Sequence, residues 1–144
     1  LFCMTSKDGR KWAEPQMLAG IEQGDYQVSW SDGKRVATAF DYHPSVGGLN
    51  SRANVYYMET RDMGRTWRNA RGEPLKLPLT STNNPALVYD SRPEGLLVYL
   101  RDVNFDSKGR PVILFVTSKG FESGPQNGPR QWQTLRGLIG LIGL

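Results

Sequence analysis

One octapeptide restricts the possible folds of this chain more than any other stretch. Residues 60–67 read Thr-Arg-Asp-Met-Gly-Arg-Thr-Trp, and they follow a run at 53–59 that is rich in the aromatic and β-branched residues of a half-buried strand. In such a sequence Asp62 can accept backbone N–H groups, Gly64 can adopt a positive φ, and Trp67 can fold back over the hairpin. The octapeptide therefore predicts a tight hairpin corner that its own side chains close.

The motif recurs along the chain. A second copy, one residue shorter between aspartate and tryptophan, occupies residues 6–12, and a degenerate third copy ends at Trp132. The three tryptophans are 55 and 65 residues apart, which suits one propeller blade of about 40–50 residues plus loops. The spacing resembles the Asp box, or BNR repeat, of sialidase-like β-propellers. Eight residues are expected to form the two complete corners: Ser6, Asp8, Gly9, Trp12, Thr60, Asp62, Gly64 and Trp67.

The predicted fold class is all-β, a partial β-propeller of about two to three four-stranded blades with Asp-box hairpins. Four segments are expected: the end of a truncated blade (1–19), a complete blade (20–79), a further blade with the degenerate corner (80–136) and an atypical apolar tail (137–144). Within them, 75–77 is predicted as an outer strand and 86–90 as the first strand of the further blade. Because an interrupted repeat leaves strand edges unpaired, we expect the isolated chain to be poorly stable or to self-associate.

The composition excludes several classes of function. The 18 basic and 14 acidic residues give a net charge of only +4 without a basic cluster, which argues against a nucleic-acid interface. Cys3 is the only cysteine, so neither an internal disulfide nor a cysteine-rich zinc site is expected. No apolar run is long enough to span a membrane. We expect no cofactor and no metal, since Asp8 and Asp62 are better used inside their own turns than as calcium ligands.

Residues 41–57 are the richest in groups that could perform chemistry. They include the only histidine of the chain, His43, together with Arg52 and three tyrosines. Arginine can bind a uronate carboxylate, and histidine or tyrosine can exchange a proton. The predicted catalytic residues are therefore His43, Tyr57 and Arg52, and the predicted substrate-binding residues are Tyr42, Asn50, Asn54 and Arg101. The alternative is structural: His43 ends a strand and Arg52 forms an ordinary ion pair.

Longer stretches carry a more specific resemblance. The chain is similar to the BNR-4 group of repeat proteins over residues 26–132, in segments such as Tyr-Gln-Val-Ser at 26–29, Tyr-His-Pro at 42–44 and Gly-Arg-Pro-Val-Ile-Leu at 109–114. That group resembles ulvan-type polysaccharide lyases and rhamnosidase-like enzymes. The resemblance implies a seven-bladed propeller, usually secreted, with a substrate cleft on one face. Relatives often have a histidine directly before Tyr-Gln-Val-Ser, where this chain has Asp25.

The resulting hypothesis is a propeller fragment whose parent acts on an acidic, uronate- or rhamnose-containing polysaccharide as a lyase or glycoside hydrolase. The expected partners are the polysaccharide and the remaining blades of the parent chain, with neither nucleic acid nor a membrane span. The expected location is secreted or periplasmic, and the fragment alone is expected to be inactive. The alternatives are a non-catalytic glycan-binding or structural propeller and a sialidase-like exo-glycosidase.

Overall fold

A computed structural model describes residues 1–47, 51–119 and 139–140 of the chain, and this part is all-β. One short 3-10 helix spans Arg92–Glu94. Nine strands are present among the described residues: β1 (Phe2–Cys3), β2 (Gln16–Met17), β3 (Gln27–Ser31), β4 (Val36–Tyr42), β5 (Ala53–Thr60), β6 (Leu87–Tyr89), β7 (Leu97–Phe105), β8 (Pro111–Ser118) and β9 (Ile139–Gly140). They form three antiparallel sheets in the orders β1-β2, β3-β4-β5-β6 and β7-β8-β9. No helix in the described part of the chain is long and apolar enough to cross a membrane.

The four-stranded sheet lies between two apolar layers. One face of β4 and β5 contributes Phe40, Tyr56 and Met58, which pack against residues from the N-terminal part of the chain. The opposite face contributes Ala37, Val55 and Tyr57, among others, which pack against β7 and β8. Because both faces are covered, every residue of β5 is buried. This stacking of sheets explains why β5 is apolar on both faces.

The fourth strand of this sheet is not where the sequence predicted it. Residues 75–77 form no strand, and β6 pairs with β5 instead, so the prediction that 86–90 begins the next blade is wrong. The outer edge of β5 is long enough to need two partners. Arg68 pairs with Glu59 beside the hairpin corner, and β6 pairs farther along the strand. The predicted segment boundaries remain predictions, with β6 assigned to the earlier sheet.

The corner that follows β5 is closed by side chains, as predicted. The Thr60 hydroxyl accepts the Gly64 N–H at 2.9 Å, and the Asp62 carboxylate accepts the Thr66 N–H at 2.9 Å. Trp67 folds back, is only 3% exposed, and donates its ring N–H to the Gly64 carbonyl at 3.2 Å. The hydrogen bonds from Thr66 lower the pKa of Asp62 to about 2.

The first copy of the motif forms a similar but exposed corner. Asp8 accepts the N–H groups of Arg10 and Lys11 at 2.8 and 2.9 Å, and the Ser6 hydroxyl accepts the Gly9 N–H at 2.9 Å. Trp12, however, is 57% exposed and does not cover its hairpin. The degenerate third copy, which includes Trp132, lies outside the described residues. The two described corners therefore share their backbone chemistry and differ in packing.

A buried arginine joins the four-stranded sheet to the β7–β8 hairpin. Arg35 forms an ion pair with Glu59 at 2.9 Å, and its guanidinium lies 3.7 Å from the centre of the Phe105 ring. It also donates to the carbonyl of Gly109 in the turn after β7. A single side chain thus links the β3–β4 turn, β5 and the neighbouring hairpin.

Candidate functional site

The β3–β4 hairpin places two polar side chains, those of Tyr26 and Asp41, at the end of the sheet away from its turn. The turn is closed by Asp32, whose carboxylate accepts the N–H groups of Lys34 and Arg35. Beyond the end of the paired register, Tyr26 lies opposite Asp41: the Asp41 N–H donates to the Tyr26 carbonyl at 3.1 Å, and the Tyr26 N–H donates to Asp41 Oδ1 at 2.8 Å. The position of Tyr26 and the orientation of the Asp41 carboxylate are thereby coupled.

His43 and Arg52 meet at the same end of the sheet. The ring centre of Tyr26 lies 4.9 Å from that of His43 and 4.1 Å from the Arg52 guanidinium carbon. The Arg52 guanidinium also lies 5.0 Å from the ring centre of Tyr99 on β7, in reach of a cation–π interaction. The Arg52 carbonyl accepts the Val98 N–H at 2.9 Å, which fixes the backbone beside β7.

Three buried polar atoms in this cluster have no hydrogen-bond partner among the described residues. They are Asp41 Oδ2, His43 Nε2 and Arg52 Nε. The side chains of Asp41 and His43 are almost fully buried, with residue exposures of 0% and 5%, and His43 Nε2 lies 3.9 Å from Asp41 Oδ1. Buried polar groups are nearly always paired in folded proteins, so unpaired ones concentrated in one place indicate a site that binds a ligand.

The environment favours a neutral histidine beside a carboxyl group that ionises near neutral pH. Burial, followed by the positive charge of Arg52, lowers the pKa of His43, and only the Asp25 carboxylate opposes this change. Burial raises the pKa of Asp41 to about 6, while the Tyr26 N–H and Arg52 pull it down. At neutral pH, His43 is therefore available as a proton acceptor and Asp41 is mostly ionised.

Tyr57 does not belong to this cluster. It is fully buried in the layer between β5 and the β7–β8 hairpin, and its hydroxyl donates to Glu59 Oε2 at 2.8 Å. Burial and the Glu59 carboxylate raise the pKa of Tyr57 well above its ordinary value. The structure thus separates Tyr57 from His43 and makes it a poor proton acceptor.

Two of the predicted substrate-binding residues have structural contacts instead. Asn54 is fully buried at a φ of +62°, where its amide oxygen accepts the Ser91 N–H and its amide nitrogen donates to the Tyr56 hydroxyl. Tyr42 packs edge-on against Tyr56 in the other apolar layer. Neither presents a polar group beside His43. Arg101 is exposed on β7, two residues beyond Tyr99, and Asn50 lies outside the described residues.

Sequence reasoning did not select Tyr26, Asp41 or Tyr99 as site residues. A signal for the first two was present, because the Asp32-Gly33 turn sets a register that brings Tyr26 opposite Asp41, and His43 follows two residues later. Tyr99 reaches Arg52 from another sheet, and no local pattern indicates that contact. Among the described residues, no group of three or more His, Cys, Asp or Glu side chains is placed to hold a metal ion.

Comparisons with known proteins agree with this architecture. A model of a family described as "BNR repeat-containing family member" matches residues 3–133. A solved ulvan lyase, from a new family of polysaccharide lyases, superposes with a TM-score of 0.68 at 22% identity over 85% of this chain. A second structure of such a lyase, bound to a ligand of glucuronate and 3-sulfated rhamnose, gives 0.65 at 23% identity over 85% of this chain. The chain spans 32% of the length of either lyase. No curated protein matches the chain.

Proposed function

The chain belongs to the BNR repeat-containing family, and from this premise we propose that it is part of a carbohydrate-active propeller acting on an acidic polysaccharide. The three sheets then correspond to successive blades of a longer, seven-bladed propeller, in which further blades complete a cleft around His43 and Arg52. The likeness to part of an ulvan lyase supports the scaffold, while the chemistry rests on the site itself.

The observation that carries the proposal is the unpaired guanidinium Nε of Arg52, whose guanidinium contacts the same Tyr26 ring as the imidazole of His43. The rings of Tyr26 and Tyr99 contact the Arg52 guanidinium and hold it in place. A guanidinium can bind a planar carboxylate through two parallel hydrogen bonds. A uronate residue supplies that carboxylate, and its C5 proton lies next to it.

In the proposed lyase reaction, Arg52 neutralises the uronate carboxylate and so makes the C5 proton easier to remove. His43 accepts that proton, the C–H electron pair forms the C4–C5 double bond, and the bond from C4 to the glycosidic oxygen breaks. The leaving oxygen gains the proton from the imidazolium, directly or through a water molecule, and the imidazole is restored. In a hydrolase, the same neutral histidine would instead activate a water molecule.

A glycan-binding propeller without turnover is the second candidate. Tyr26 is exposed, and its ring lies beside Arg52, which is the combination of aromatic surface and positive charge that an acidic sugar ring can contact. With a polysaccharide ligand in either case, we propose a secreted or periplasmic protein.

The test uses the full-length protein that carries this chain, assayed on ulvan and on glucuronans by the ultraviolet absorbance of unsaturated uronate ends. We expect His43→Ala to lower kcat by about 100-fold or more, since general base catalysis contributes at least that much. Arg52→Lys keeps the charge but loses the two parallel hydrogen bonds, and we expect it to raise KM and lower kcat. Arg110→Ala, which removes an exposed arginine from the turn after β7, serves as the control with wild-type rates.

The outcomes separate the candidates. Two results together refute the lyase: uronate polymers yield no unsaturated product, and His43→Ala leaves the activity on any of these polymers unchanged. New reducing ends without absorbance indicate hydrolysis. Uronate polymers that bind the wild-type protein and bind Arg52→Ala more weakly, with no product in either case, indicate a glycan-binding propeller.

A further inference from the structure

The imidazole of His43 has one ring nitrogen directed at a carboxylate. Its Nε2 atom is buried and lies 3.9 Å from Asp41 Oδ1, and it has no hydrogen-bond partner among the described residues. The Asp41 carboxylate is held in orientation from the other side, where the Tyr26 N–H donates to the same Oδ1 atom at 2.8 Å. A fully buried carboxylate facing one nitrogen of an imidazole is an arrangement that selects a tautomer.

The tautomer follows from the hydrogen-bonding chemistry of the two groups. An ionised carboxylate only accepts hydrogen bonds, and a neutral imidazole carries one N–H and one bare nitrogen. A bare Nε2 facing Asp41 would set two acceptors against each other in a buried site, which is costly. With the proton on Nε2, the same pair attracts, and it can tighten to a hydrogen bond by a small ring movement.

The other charged groups around His43 do not oppose this choice. Arg52 contributes a positive charge that disfavours the imidazolium, and Asp25 contributes a negative charge that favours it. These two groups therefore change how readily the neutral imidazole of His43 binds a second proton and becomes an imidazolium. Tyr26 contacts the imidazole through its ring. Asp41 is the group placed at a single ring nitrogen.

We propose that Asp41 is a positioning residue that keeps the proton of neutral His43 on Nε2 and leaves Nδ1 as the nitrogen that accepts a proton. This deepens the function proposed above and rests on it only for the identity of the proton donor, a uronate C5–H. After the transfer, His43 is an imidazolium with N–H groups at both nitrogens. Asp41, ionised at neutral pH, then stabilises that cation from its buried side.

Nuclear magnetic resonance can test the tautomer in the full-length protein that carries this chain, where the His43 signals are those missing from the spectrum of His43→Gln. With 15N-labelled histidine at about pH 8, above the ordinary histidine pKa, long-range 15N–1H spectra distinguish the protonated from the bare nitrogen. We expect wild-type His43 to show a protonated Nε2 and a bare Nδ1. A wild-type spectrum with the proton on Nδ1 overturns the proposal, whatever any variant does.

Two variants separate positioning from general electrostatics. Asp41→Leu is similar in size but has neither the charge nor an acceptor facing Nε2, so we expect the single tautomer to be lost and both nitrogens to take intermediate shifts. Asp25→Asn removes a carboxylate that favours the imidazolium of His43, so we expect a lower His43 pKa and the wild-type tautomer. If Asp41→Leu retains the wild-type tautomer, or if Asp25→Asn loses it, Asp41 is not the residue that sets it.

The result is independent of whether the full-length protein turns out to be a lyase. A protonated Nε2 that depends on Asp41, in a protein without turnover, upholds the positioning role and refutes the proposed reaction. Turnover that depends on His43, combined with a proton on Nδ1, upholds the reaction and overturns the positioning role.

Discussion

The carboxyl group of Asp41 has no solvent contact, and its two oxygens receive one hydrogen bond, from the Tyr26 N–H, among the described residues. Burial raises its pKa from 3.8 to about 6, so the protein spends folding free energy to keep this group ionised at neutral pH. Structural carboxylates in the same chain behave oppositely, since hydrogen bonds lower the pKa of Asp32 and Asp62. A carboxylate that stays ionised beside His43 and Arg52, although this lowers the stability of the fold, is typical of a functional site.

Relative to wild type, the free energy of unfolding of Asp41→Asn should therefore increase as the pH rises. Between about pH 4 and pH 6 the native Asp41 binds more protons than the unfolded one, so its contribution to the free energy of unfolding falls across this window. Relative to wild type, we expect the variant to gain about 2 kcal/mol between pH 4 and pH 7. Urea unfolding at matched protein concentrations, followed by tryptophan fluorescence, measures this difference.

Asp32→Asn is a control, for which we expect the opposite pH dependence of stability relative to wild type. Hydrogen bonds from backbone N–H groups, first from Lys34, lower the pKa of Asp32, so its contribution to stability is present above about pH 4 and is lost as the pH falls further. We expect this variant to be destabilised at pH 7 and to approach wild type in acid. A parallel pH dependence for the two variants would contradict the assignment of Asp41 as a carboxylate ionised at a cost.

His43 could be predicted from sequence because it is the only histidine of the chain, and Arg52 because it lies nine residues from His43. Asp41 and Tyr26 required the hairpin register as well. Tyr57 was selected by type alone, and the strand directs it into an apolar layer that only the packing of two sheets creates. Tyr99 could not be predicted, because its contact with Arg52 depends on how β7 packs beside the earlier sheet.

The two described hairpin corners show how one motif can have different structural importance. Both use an aspartate and a hydroxyl to bind backbone N–H groups of the turn. In the second corner Gly64 and Trp67 are buried, whereas in the first Gly9 and Trp12 are exposed. An unpaired N–H in the exposed corner can bind water, but in the buried corner it cannot.

Thr60→Val, which preserves the shape of the side chain, should therefore be costly. It removes the acceptor of the buried Gly64 N–H, and we expect a loss of about 1–3 kcal/mol in the free energy of unfolding. Ser6→Ala makes the matching change in the exposed corner, and we expect a much smaller loss. Denaturant unfolding of both variants beside wild type gives the comparison; equal losses would show that burial of the corner does not decide its contribution.

The order of strands within a sheet was harder to predict than the strands themselves. β5 could be predicted from the aromatic and β-branched run at 53–59. The error at β6 arose because a short apolar run carries no information on its partner. Leu87–Tyr89 pairs with β5 since that edge still has unpaired backbone groups beyond Arg68.

Across the whole molecule, the sheets follow one another in chain order and share apolar layers, with Arg35 joining the second sheet to the third. Among the described residues, the first sheet consists of two short strands, and its surroundings present large exposed apolar side chains. These are Phe2, Met4, Trp12 and Met17. In the propeller proposed here, a preceding blade would cover them.

The isolated chain should consequently self-associate or unfold over a broad temperature range. Exposed apolar surface next to short, incompletely paired strands favours contact between copies. We expect sedimentation velocity to show concentration-dependent association, and Phe2→Ser combined with Met17→Ser to reduce it. Val46→Ser, which changes an exposed apolar residue outside the first sheet, should leave the association as it is. A monodisperse monomer with a sharp, cooperative melt would show that these three sheets form a self-sufficient domain and would remove the reason to place a further blade against β1 and β2.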